Sequence, residues 1–144
     1  MILRQEEIQL APHPRGCHLV TRDILQRLEW MSEFSQGLLH LHIAHTSASL
    51  VINENADPEV RVDLESILNH LVPGDLPFLT HTYEGADDMP AHAKAALLGS
   101  SVEIPLNGGR PLLGTWQGIY LCEHRNRGGR RKIIATAWGE PRVR

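Results

Sequence analysis

The sequence predicts an α+β fold, one domain over residues 1–144 with a mostly antiparallel β-sheet packed against a few helices. Three observations lead there. An alternating stretch opens the chain, helix-like stretches with strong start signals follow, and the late part is a run of strand-like segments joined by Gly-Gly turns.

Ile2 to Leu10 alternates apolar and polar residues, as a half-buried strand does, and Pro12, Pro14 and Gly16 break it. Thr21 is suited to cap a helix from Arg22 to Met31, with Ile24, Leu25 and Leu28 on one face. Gly37 to Thr46 reads as a strand, Leu39, Leu41, Ile43 and His45 sharing a face. That face is apolar until His45, so the imidazole is expected to emerge where the core gives out. Leu50 to Asn53 forms another strand. Asp57-Pro58 then pairs an N-cap acid with proline at the first helical position. Val60, Leu64, Ile67, Leu68 and Leu71 supply the buried stripe of that helix, which Pro73-Gly74 ends.

The polar stretch Asp75 to Met89 is a candidate binding loop, and Pro90 starts a short helix through Leu98 that Gly99 closes. Ser101–Pro105, Gly114–His124 and Arg131–Trp138 read as strands, with Asn107-Gly108-Gly109 and Asn126-Arg127-Gly128-Gly129 as turns between them. Both faces of Gly114–His124 carry apolar groups, which places it centrally in a sheet or at a subunit interface. No internal repeat or low-complexity tract interrupts the pattern.

Composition narrows the function. A 42% apolar content suits a folded core, and a net charge of -3 offers no basic field for nucleic acid or membrane. No apolar run approaches a membrane span, and Met1-Ile2-Leu3-Arg4-Gln5-Glu6-Glu7 is too charged for a secretion signal. Cys17 and Cys122, in apolar contexts without Cys-x-x-Cys spacing, read as reduced core thiols of a cytoplasmic protein.

Among nine histidines, three sit where elements start or end: His45, His81 and His92. Three ring nitrogens and a water would suit zinc or a similar metal with an open position. His92, placed in the first turn of the helix from Pro90, would meet a partial positive charge that favours its neutral form. Asp87 and Asp88 offer oxygen ligands for Mg²⁺, or a helix cap at Asp88. Glu54, at the end of the strand after the His45 turn, is a candidate general base, as is Glu123 on the long strand. Arg125 and Arg131 flank a Gly-Gly turn and are candidates for phosphate binding. Gln117, on a face shared with Glu123, is either a structural hydrogen-bonding group or a cleft residue. Ser47 and Ser49 follow His45, but adjacency in sequence does not make a triad.

Several blocks in fixed order resemble the YjbQ-like family, labelled secondary thiamine-phosphate synthase. They are Arg15 to Thr21, His45-Thr46-Ser47-Ala48-Ser49, Asn53-Glu54-Asn55-Ala56-Asp57-Pro58, Tyr83 to His92, Gly114 to Ile119 and Glu123-His124-Arg125. The resemblance runs through nearly the whole chain. It implies an α+β homotrimer with these polar motifs gathered in a cleft. It also implies slow joining of hydroxymethylpyrimidine diphosphate to thiazole phosphate, with release of diphosphate. On that reading Glu54, Asp87, Glu123 and His124 are catalytic candidates, and Thr46, Ser47, Asn53, Asp88, Gln117, Arg125 and Arg131 hold the phosphorylated substrates. Mg²⁺ at Asp87-Asp88 would accompany the diphosphate. Arg127-Gly128-Gly129-Arg130 is more basic, and Pro77-Phe78-Leu79-Thr80 less polar, than the family pattern leads one to expect. A different reading is a metal-dependent hydrolase or lyase of a small phosphorylated or acidic metabolite, using His45, His81 and His92. A non-catalytic trimeric module for small anions is the third.

Overall fold

A computed structural model describes residues 1–143; Arg144, the last residue of the expected domain, lies outside the described residues. The strands are β1 (Ile2–Leu10), β2 (Gly16–Leu19), β3 (Phe34–Ile43), β4 (Ala48–Glu54), β5 (Ser101–Asn107), β6 (Arg110–Pro111), β7 (Gln117–Glu123) and β8 (Arg131–Pro141). The helices are α1 (Thr21–Leu25), α2 (Pro58–Leu71) and α3 (Asp88–Leu98), with a 3₁₀ segment at Glu29–Glu33. Every strand pair is antiparallel among the described residues. They form a five-stranded sheet ordered β1-β8-β3-β5-β6 and a three-stranded sheet ordered β2-β7-β4.

Two apolar seams organise three layers. Ile8, Leu39, Leu41, Ile104, Ile133 and Ala135 of the large sheet meet Ala48, Leu50, Ile119 and Leu121 of the small one, with Ile24, Leu28, Met31 and Phe34 in the same cluster. The opposite face of the small sheet presents Cys17, Tyr120 and Cys122 to Leu64, Leu68 and Leu98 of α2 and α3. Strand β7 is therefore covered on both sides, which is why its sequence is apolar at both parities. Asp57 accepts a hydrogen bond from the Glu59 N–H at 2.9 Å and Pro58 opens α2, as its sequence predicts.

Other expectations are corrected. The helix of Arg22–Met31 is one α-helical turn followed by 3₁₀ geometry, because Arg27 and Leu28 donate to carbonyls three residues back, Ile24 and Leu25. Ile24, Leu28 and Met31 stay buried in either geometry, so hydrophobic spacing could not tell the two apart. Thr21 does not cap; its hydroxyl accepts the Ile119 N–H at 2.9 Å. The strand of Gly37–Thr46 runs from Phe34 to Ile43 instead, leaving His45 in the following loop. Strand β2 lies in the segment read as a break, since four residues are too few to show a period. Helix α3 starts at Asp88, two residues before Pro90, so His92 is in its second turn rather than its first. No helix among the described residues is long and apolar enough to cross a membrane.

Candidate metal centre

The loop between α2 and α3 and the first turns of α3 bring His81, Asp88 and His92 together. Asp88 and His92, four apart on one helix, share a face, and the loop returns His81 over them. Asp88 is 2% exposed. Its Oδ2 lies 2.7 Å from His81 Nε2 and 3.0 Å from His92 Nε2, and one potential ligand atom from each of the three residues falls within 4.8 Å of the others. The other oxygen, Oδ1, accepts from Arg125 Nη1 at 2.6 Å. The hydrogen bond from His81, with the positive charges of His92 and Arg125, holds the Asp88 carboxyl below its usual range against the effect of burial.

The tautomer of His92 is fixed by its surroundings. Its Nδ1 is 2.8 Å from the Thr46 carbonyl, which can only accept, so Nδ1 carries the proton. In a neutral ring Nε2 then turns a lone pair toward a carboxylate oxygen. That contact is repulsive unless a cation lies between or on the pair: either a second proton or a metal ion. A backbone carbonyl on the remote nitrogen and an arginine on the remote carboxylate oxygen are the outer contacts that orient metal ligands in proteins. Two imidazoles and one carboxylate suit zinc or another borderline divalent ion, with positions left for water or substrate.

The expected convergence of three imidazoles is thus corrected: two converge, and Asp88 completes the group. His45 Nε2 accepts the Lys132 N–H at 2.7 Å and is occupied there. Burial, followed by the nearby Arg131 charge, pushes its pKa down. His45 and His92 nevertheless line one cleft of about 610 Å³ together with Thr46, Ala95, Gly99 and Ser100.

The remaining candidates are hydrogen-bonded within the fold. Asp87 occupies the N-cap position without a side-chain cap bond. Its Oδ2 accepts from Arg125 Nε at 3.0 Å and from the Asn126 N–H at 2.9 Å. Burial opposes ionisation of Asp87, but these donors prevail and its pKa is lowered. Arg125 is placed between Asp87 and Asp88 and also donates to the Glu84 carbonyl at 3.2 Å, so its guanidinium and the two acids are engaged with one another. Arg131 is likewise spent. It forms a buried two-pronged pair with Glu123 (2.7 and 2.5 Å) and donates to the Ser47 hydroxyl at 3.0 Å. Glu123 and Ser47 are thus both engaged with Arg131.

His124 is buried, its Nε2 sharing a hydrogen with the Ser49 hydroxyl at 2.9 Å and its Nδ1 unpartnered among the described residues. Burial, then the charges of Lys94, Arg131 and Arg15, push it down to about 4, which favours a neutral ring. Glu54 accepts the backbone N–H groups of Ala56 and Asp57, closing the turn into α2. Asn53 accepts the Glu54 N–H, and Gln117 accepts the Gly114 N–H. Thr46 contributes its carbonyl. The sequence reading pairs Asp88 with Asp87 rather than with His81 and His92; the i, i+4 spacing of Asp88 and His92 is the signal for the latter grouping once α3 is started at Asp88.

A family profile described as "UPF0047 protein YjbQ-like" matches residues 6–140. The UPF0047 protein YjbQ of Salmonella typhimurium is 52% identical over 136 residues, 94% of this chain and 98% of that protein. The UPF0047 protein sll1880 of Synechocystis is 43% identical over 94% of this chain and 92% of its own length. Among solved structures, a YbjQ-like protein of unknown function from Sulfolobus solfataricus superposes with a TM-score of 0.85 at 22% identity, over 96% of this chain and 99% of that one. An uncharacterised protein of the yjbq/upf0047 family from Clostridium acetobutylicum superposes with a TM-score of 0.75 at 30% identity, over 91% and 97%.

Proposed function

This chain belongs to the YjbQ-like UPF0047 family, and from that premise we propose that it is a metal-dependent enzyme of a small phosphorylated or acidic metabolite. His81, Asp88 and His92 hold one divalent ion, and the metabolite occupies the adjoining cleft. The observation that carries the reading is the convergence of His81 Nε2 and His92 Nε2 on Asp88 Oδ2, at 2.7 and 3.0 Å, with one potential ligand atom of each residue within 4.8 Å of the others. A second observation points the same way. Arg125 and Arg131, the cations expected to bind phosphate, are paired internally with Asp87, Asp88 and Glu123, so a bound ion would supply positive charge that these two do not. Such an ion, held by His81, Asp88 and His92, would supply Lewis acidity toward a phosphoryl or carbonyl oxygen or a more acidic water.

The thiamine-phosphate synthase reaction is the second reading. The cleft volume favours it, since about 610 Å³ accommodates more than one small metabolite. A divalent ion at the cleft wall would take up charge on the departing diphosphate, and the cleft would hold the two heterocycles in reach of each other. A cytoplasmic, trimeric protein belongs to that reading as well.

Elemental analysis of untagged protein tests the proposal. We expect close to one divalent ion per chain, lost in Asp88→Asn and His92→Ala and kept in His45→Ala. Wild-type protein that takes up no zinc, manganese, iron or magnesium would overturn it, as would Asp88→Asn protein with undiminished metal. Incubation of metal-loaded protein with the two thiamine precursors, and separately with a panel of phosphate esters, then distinguishes the two reactions.

A further inference from the structure

Away from the metal centre, the two thiols of the chain meet. Cys17 on β2 and Cys122 on β7 are directly opposed across an antiparallel pair, although 105 residues apart in sequence. Their Sγ atoms are 3.3 Å apart, closer than two sulfurs in simple packing contact. Opposed Cα atoms in such a ladder are about 4.5–5.5 Å apart, inside the range that a disulfide spans without backbone movement. The two sulfurs differ in access. Cys17 is 7% exposed and lines two cavities: one of about 320 Å³ with Arg15, Arg61 and Glu65, and an apolar one of about 260 Å³ under α2 and α3. Cys122 is 1% exposed and lines the second. Lys94, nearly buried and held by the Asn69 side-chain oxygen at 2.7 Å, adds a positive charge near the Cys17 sulfur.

We propose that Cys17 and Cys122 form a redox-active dithiol that a small hydroperoxide oxidises to a disulfide. The Cys17 thiolate attacks one peroxide oxygen and the O–O bond breaks; hydroxide (or alkoxide) leaves and takes up a proton, and Cys17 becomes a sulfenic acid. The Cys122 sulfur then displaces the sulfenic hydroxyl, an S–S bond forms, and water carries off the oxygen with the Cys122 proton. Two thiols lose two electrons and the peroxide is reduced by two. The geometry sets the order: Cys17, the less deeply buried sulfur and the one beside the polar cavity, reacts first and Cys122 resolves it. The inference stands independently of the metal centre.

The test is titration of the native protein with hydrogen peroxide, alkylation of remaining thiols, and peptide mass mapping with and without reductant. We expect a Cys17–Cys122 cross-linked peptide, lighter by two hydrogen atoms, formed while circular dichroism still reports the native fold and reversed by dithiothreitol. In Cys122→Ser the reaction should stop at a sulfenic acid on Cys17 that dimedone captures. In Cys17→Ser, Cys122 should resist the reagent at least tenfold longer. A Cys17 that proceeds to sulfinic acid in wild-type protein without cross-linking would overturn the proposal, as would thiols that react only after the protein unfolds. Equal labelling of Cys122 in Cys17→Ser would refute the assigned order.

Discussion

Asp88 gives one oxygen to His81 and His92 and the other to Arg125, so its orientation is set from both sides. Arg125 is a positioning residue in this arrangement. Its replacement by Ala should weaken metal affinity roughly 10–100-fold, as removal of outer contacts does at other metal centres, with competition titration as the readout. Affinity equal to wild type would reduce Arg125 to a loop clasp. His124 carries a different prediction. Folded, it titrates near 4; unfolded, near 6.5. Between those values the unfolded chain binds more protons than the folded one, so this contribution is complete above pH 6.5 and is lost as the pH falls toward 4. Its ceiling is about 3 kcal/mol. Urea unfolding at pH 7 and pH 5 should therefore show a smaller pH difference for His124→Asn than for wild type. The type and position of these residues were legible in sequence; their partners were not, because Arg125 meets Asp87 and Asp88 only when the loop after β7 is folded against the start of α3.

At the scale of elements, α3 shows where local reasoning goes astray. Pro90 is a good first-turn residue, but so is an acid ahead of it, and the helix takes Asp88 as its first residue. Two residues of difference move His92 by most of a turn and put it over Asp88. Strands β3 and β8 show a second effect. Gly37 and Gly139 face each other near a register shift at Phe34/Gln36. A Cβ on Gly139 would collide with the Gln36 carbonyl oxygen and the Gly37 Cα, both backbone atoms with little room to yield. Gly139→Ala should cost about 1–3 kcal/mol, read as a lower urea midpoint with unchanged slope. An unchanged midpoint would mean that β3 and β8 can separate locally without loss. Sequence alternation located both strands, yet neither glycine was distinguishable from a loop glycine without the partner strand.

Across the whole molecule, two packed sheets form a rigid base and α2 and α3 cover one side of it, joined by a loop that supplies His81. A metal bound to His81, Asp88 and His92 would tie that loop to the helix layer. An ion present at about 100 times its Kd adds about 2.7 kcal/mol to the folded state alone. Chelation should then lower Tm by on the order of 10 °C in wild type. Asp88→Asn should show no such drop, and an equal chelator effect in both would place the ion elsewhere. Scanning calorimetry with and without chelator measures this.

The α+β class and its antiparallel strands, the Asp57-Pro58 start of α2, the double-sided burial of β7 and the family were all written in the order of residues, because periodicity, capping and motif order are local properties. Which polar groups would be used up on one another was decided only by tertiary structure. Glu123 and Arg131 neutralise each other, Lys132 occupies His45, and Cys17 meets Cys122, because burial forces each charge or donor to find whatever partner the packed layers bring within reach. The sequence lists the groups available; the fold determines which of them meet, and here it brings His81, Asp88 and His92 together.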